Sequence, residues 1–137
     1  MVRPEILRRR LEKLREYLHI LEDLSRTSES EFLADPRLHG SAERFLQLAI
    51  EALLDMGAHV VAEMGLGKTE TYRDIPRALE AAGILPSELA RRWEKLVGFR
   101  NILVHEYVDL DRRSVYRILQ EELADLHKLG EVFARFL

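Results

Sequence analysis

The part of this chain best equipped for chemistry is short. Between Gly98 and Tyr107 the order GFRNILVHEY places Arg100, Asn101 and His105 inside what otherwise reads as an amphipathic helix. At roughly 100° per residue, Arg100 falls among Trp93, Leu96, Val97, Leu103 and Val104, in the middle of the apolar face. Asn101 and His105 are i, i+4 neighbours along one edge of that face. Gly98 leaves the edge without a bulky neighbour, and Tyr107 lies two turns beyond Arg100. A guanidinium offers forked donors to phosphate or carboxylate oxygens, and an imidazole exchanges a proton near neutral pH. A buried arginine without a partner costs several kcal/mol. Either a carboxylate elsewhere in the fold neutralises Arg100, with the histidine as a polar cap, or the arginine lies in a cleft built for an anion.

Other polar clusters carry weaker signals. The string MGLGKT, Met64 to Thr69, ends like a phosphate-binding loop, but Ala62 stands where the first glycine is needed and the preceding segment reads as helix, not strand. It is expected to be a helix stop and turn, with Lys68 adding positive charge near a binding surface. Asp55, His59 and Glu63 repeat every four residues on one stripe. No second helix supplies the Glu-x-x-His partners that metal-binding bundles use. No metal site is therefore expected; the stripe reads as a partly solvated edge, with Asp55 and His59 as possible pocket-lining residues. His19, His39 and His127 stand singly and are expected at the surface. The runs Arg8-Arg9-Arg10, Arg91-Arg92 and Arg112-Arg113 are interleaved with acids and read first as surface ion pairs.

These side chains need elements to position them. Leucine-rich periodic segments separated by short breaks, with no sustained alternation, give an all-α class: an up-and-down bundle of about five helices in a single domain over 1–137. The first helix spans residues 3 to 25 on the Leu7, Leu11, Leu14, Leu18, Leu21 seam. After the break at Asp35-Pro36 a long second helix runs from about Arg37 or Ser41 to Met64, ended by Gly65 and Gly67. A short third runs from about Tyr72 to Ala82, and a fourth from Ser87 through Arg100 to about Glu106. The last starts at Asp111 and continues to the carboxyl end. With 21 Lys and Arg against 24 Asp and Glu, net charge −3, nucleic acid can be met only by a local basic patch. There is no cysteine for a disulfide or thiolate site. The amino terminus MVRPEILRRRLEKL is too charged for a secretory signal or a membrane span, so a cytoplasmic protein with no membrane partner is expected.

The segment Arg100 to Tyr107 resembles the R-N-x-x-x-H-x-Y signature of HEPN proteins of the HepT type, toxins encoded beside a small MNT nucleotidyltransferase antitoxin. The likeness extends from AIEALLDMGAHVV through the helix stop and the Leu85-Pro86 restart. It implies a metal-independent endoribonuclease, without cofactor, acting on RNA and not DNA at the shared cleft of a homodimer. Arg100, Asn101 and His105 would be catalytic. Tyr107 would be the acceptor of AMP from the cognate MNT nucleotidyltransferase. The alternative the resemblance leaves is a binding subunit of a two-component nucleotidyltransferase, holding a nucleotide or substrate and doing no chemistry itself.

Overall fold

In the computed structural model the described residues are 2–105 and 110–137, and among them there are seven helices and no strand. They are α1 (Pro4–Ser25), α2 (Glu29–Ala34), α3 (Pro36–Glu63), α4 (Asp74–Ala81), α5 (Ser87–His105), α6 (Arg112–Glu121) and α7 (Leu123–Ala134). The all-α expectation holds; the count of about five rises to seven for two reasons. Ser28 accepts a hydrogen bond from the Glu31 N–H and donates to its carboxylate, which caps a short α2 where a break was read. The expected single last helix is interrupted at Glu122, with φ −120° and ψ 1°. No glycine or proline marks that point. Both halves pack on α1 and α3, but α6 also meets α2 and α7 meets α5: Tyr116 and Gln120 of α6 donate to the carbonyls of Thr27 and Ser25 at the end of α1, while α7 lays Gly130 against Leu14 farther along it.

The core is built on α3, which packs against every other helix. By length and apolar composition α3 would also suit a bilayer; here it is the buried axis of the bundle. Asp35 caps it by accepting the Arg37 N–H, and Pro36 takes the first turn, where its missing N–H costs nothing. Its other end closes at Gly65, φ 62°, with the Leu66 N–H bonded to the Val61 carbonyl. On α1 all five expected leucines are buried, none more than 2% exposed.

Gly57 sets where α4 and α5 meet α3. A Cβ there would lie 2.5 Å from Ile75 Cγ2 of α4 and 3.1 Å from Trp93 of α5. Only a glycine permits that approach, which holds the α3–α4 loop against α5. Trp93 stands edge-on to Phe133 of α7 with ring centres 5.9 Å apart, anchoring α5 in the core. Farther along α5 the motif residues emerge from this packing.

Candidate active site

Arg100 continues the buried stripe of α5 past Trp93, Leu96 and Val97 and then meets a carboxylate. Its Nε and Nη2 donate to Glu51 Oε2 of α3 at 2.9 and 2.7 Å. Its Nη1 donates to Asn101 Oδ1 at 3.2 Å, and its guanidinium carbon lies 4.9 Å from the ring centre of Tyr72. The side chain is only 13% exposed, so Glu51 supplies the counter-charge that burial demands. Gln47, one turn before, donates to the same Glu51 oxygen at 3.2 Å and steadies it. Five guanidinium N–H groups less the three engaged leaves two free to meet an incoming oxyanion. The arginine is thus both neutralised and held in place.

Beside it opens a hollow of about 680 Å³. Arg100, Asn101 and His105 form one wall, and the loop from Thr69 to Arg73 forms the facing one. Asn101 is half-buried, and His105, in the last turn of α5, is exposed to whatever enters. A smaller hollow of about 160 Å³ adjoins it, where Asp55 joins Glu51, Tyr72 and Arg100. Burial raises the Asp55 carboxyl above the usual aspartate range; Arg10, 3.6 Å away, opposes that and the negative Glu51 adds to it.

The remaining candidates lie elsewhere. His59 accepts the Arg3 backbone N–H at 3.1 Å, so it meets the amino-terminal arm and not the hollow. Glu63 faces the same arm, with Arg3 at 3.8 Å. Among the described residues no group of three or more His, Asp or Glu is arranged to hold a metal ion. His39, expected at the surface, is buried: it lies edge-on to Phe32 and accepts from Arg112 Nε at 3.1 Å. That partner is 73 residues away, beyond the reach of local pattern. His19 is exposed, while His127 pairs with Glu22 across α1 and α7. The MGLGKT string is a helix end and turn with Gly65 and Gly67 at positive φ, although Thr69 lines the hollow. Tyr107 lies outside the described residues.

Three residues at the site were not singled out from sequence: Glu51, Tyr72 and Arg73. For Glu51 a signal existed, since it continues the Asp55–His59–Glu63 stripe one turn upstream. Tyr72 and Arg73 sit in a loop, where no periodicity reports which way a side chain faces.

Fold and site define an all-α bundle in which an Arg-Asn-x-x-x-His helix edge faces an open hollow of about 680 Å³. Residues 9–132 match the family described as ribonuclease HepT-like, and the chain belongs to that family. It is 33% identical over 115 residues to a tRNA nuclease HepT of Aphanizomenon flos-aquae, spanning 84% of this chain and 78% of that protein. It is 31% identical over 103 residues to an mRNA nuclease HepT of Shewanella oneidensis, 75% of this chain and 77% of that one. Its structure superposes on a solved tri-AMPylated Shewanella oneidensis HEPN toxin in complex with an MNT antitoxin, with TM-score 0.90 and 25% identity over 97% of this chain and 99% of that one. By family, then, this is a HepT-type ribonuclease.

Proposed function

We propose that residues 1–137 form one domain, a metal-independent endoribonuclease toxin of a HEPN/MNT pair, which cuts RNA at a homodimer cleft and is silenced by AMPylation of Tyr107. The observation that carries the reading is the convergence of Arg100, Asn101 and His105 on one hollow, with Arg100 already oriented by Glu51. The 2′-oxygen of ribose attacks the adjoining phosphorus, its proton leaves, the bond to the 5′-oxygen breaks, and that oxygen takes a proton. His105 serves by accepting the first proton or delivering the second. The free N–H groups of Arg100 stabilise the added charge on the phosphoryl oxygens in the transition state. Asn101 holds the guanidinium from the side. The products are a 2′,3′-cyclic phosphate and a 5′-hydroxyl, and DNA, lacking the 2′-hydroxyl, is not a substrate.

Two further observations support the assembly. Ile102, on the motif helix, is 41% exposed beside the half-buried Phe99, an apolar pair within an otherwise charged groove that a second copy would cover. The relative from Shewanella oneidensis carries AMP and sits in a complex with an MNT antitoxin; Tyr107, two residues past His105 in sequence, is the acceptor proposed here. The added nucleotide would compete with RNA both for space and for Arg100.

The test is cleavage of a labelled oligoribonucleotide by the purified chain in the presence of chelator. Cutting that yields cyclic phosphate ends and vanishes in His105→Ala supports the reading. Failure of the wild type to cut, or a need for added divalent ion, overturns it; nucleotide binding without cleavage would favour the binding-subunit alternative. Incubation with the neighbouring nucleotidyltransferase, ATP and magnesium should add AMP to the wild type and none to Tyr107→Phe. Equal modification of both would remove Tyr107 from the mechanism.

A further inference from the structure

The arginines around the site are nearly all spoken for. Arg77 pairs with Glu94, Arg91 with Glu80, Arg92 with Glu88 and Asp125, and Arg100 with Glu51. Arg73 is the exception, with no ion pair or hydrogen bond from its side chain among the described residues. Yet its position is defined. Its Nη2 lies 2.8 Å from the point a Cβ on Gly98 would occupy, so the guanidinium rests in the notch that the missing side chain leaves on α5. Its backbone is held as well, because Asp74 accepts the N–H groups of Glu70 and Thr71 at 3.0 and 3.1 Å and fixes the loop that carries it. From the notch Arg73 borders the hollow of Arg100, Asn101 and His105 on one side. On the other it borders a broader groove of about 1320 Å³, where Lys95 and Lys128 add positive charge.

We infer that Arg73 is a phosphate-binding residue that holds the RNA phosphate adjoining the scissile one, and that Gly98 is glycine to seat it. The inference rests on the ribonuclease reading above and extends it to how the strand leaves the hollow. An exposed guanidinium without a carboxylate partner, in a chain that carries 24 acids, keeps its donors for an external anion. Two acids of the groove have partners of their own and do not cancel it: Asp125 is taken by Arg92, and Glu121 lies 3.9 Å from Arg117. A strand whose scissile phosphate sits at Arg100 therefore finds its next phosphate site at the junction of hollow and groove.

The experiment compares a ribodinucleotide, which has only the scissile phosphate, with a longer oligoribonucleotide. Arg73→Gln should raise KM for the oligomer about tenfold while kcat stays within about twofold, and the slope of log KM against log salt should fall by about 1. Its penalty in kcat/KM should be about tenfold larger on the oligomer than on the dinucleotide. Arg73→Lys should recover part of the loss. Gly98→Ala, which displaces only the tip of a flexible side chain, should move KM in the same direction without lowering the melting temperature. Arg8→Gln, removing an exposed arginine on α1, is the control for general charge and should change nothing. An unchanged oligomer KM, or an equal loss on both substrates, overturns the inference. If the wild type cuts no RNA the ribonuclease reading fails, and Arg73 is then judged by fluorescence anisotropy with a 2′-O-methyl oligomer. Weaker binding by Arg73→Gln sustains the site, and equal binding, or none by the wild type, removes it.

Discussion

At the residue scale the site turns on how a charge is carried by the buried stripe of a helix. Glu51 neutralises Arg100 without exhausting its donors, and the single-atom fork on Oε2 fixes the guanidinium plane. Arg100→Lys keeps the charge and loses that geometry, so cleavage should fall by about 10²-fold or more while thermal unfolding changes little. His105 is exposed and packs against nothing in the core. His105→Ala should therefore leave the denaturation midpoint where it was and lower kcat by about 10²–10⁴-fold. Glu51→Ala is the opposite kind of change: it strands a nearly buried cation, and chemical denaturation should register a loss of about 1–3 kcal/mol together with reduced cleavage. A variant that loses activity with no loss of stability would show that Glu51 acts on the chemistry directly and is not the neutralising partner described here.

At the element scale the hollow exists because α4 and its preceding loop are pressed against α3 and α5. Gly57→Ala would push a methyl into Ile75 and Trp93. Overpacking of about 1–3 kcal/mol should outweigh the gain of up to about 1 kcal/mol in helix propensity. A calorimetric melt should come out lower, and an unchanged or raised melting temperature would mean α4 is free to shift. The loop has its own tie in Asp74, whose carboxyl is held below the usual aspartate range by the Thr71 and Glu70 N–H groups it accepts. Because that folded-state value is depressed, the tie is fully present above the ordinary value near 3.8 and is lost as pH falls through the lower folded one. Asp74→Asn should loosen the loop at neutral pH, seen as faster hydrogen exchange at Glu70 and Thr71. The same amides should lose protection in the wild type only in strong acid.

At the scale of the whole molecule, the proposed dimer needs a contact beside the site, and the exposed Ile102 of the motif helix is where it is tested. Ile102→Glu should convert a dimer to a monomer in light scattering at micromolar concentration and reduce cleavage in proportion, with the helical signal in circular dichroism retained. A monomeric wild type with full activity would place the whole site within one chain.

Sequence alone determined the elements and the motif, because both are written at short range. The leucine seam of α1, the caps at Asp35 and Asp111 and the stops at Gly65 and Gly83 depend on neighbours within a turn or two. The same periodicity showed Arg100 on an apolar face with Asn101 and His105 at its edge. The Ser28-x-x-Glu31 box was equally local and could have been read. What only the tertiary structure decided is which partners those residues meet. Whether Arg100 faced a carboxylate or an open cleft depended on α3 bringing Glu51 to it from 49 positions away, and the answer is both. His39 is buried because α6 crosses it, His59 leaves the hollow because the amino-terminal arm claims it, and the last helix breaks at Glu122 where α6, which also meets α2, gives way to α7, which meets α5. Contacts of that kind join surfaces whose spacing along the chain is arbitrary. No period of two or 3.6 residues encodes them, and they appear only when the bundle closes.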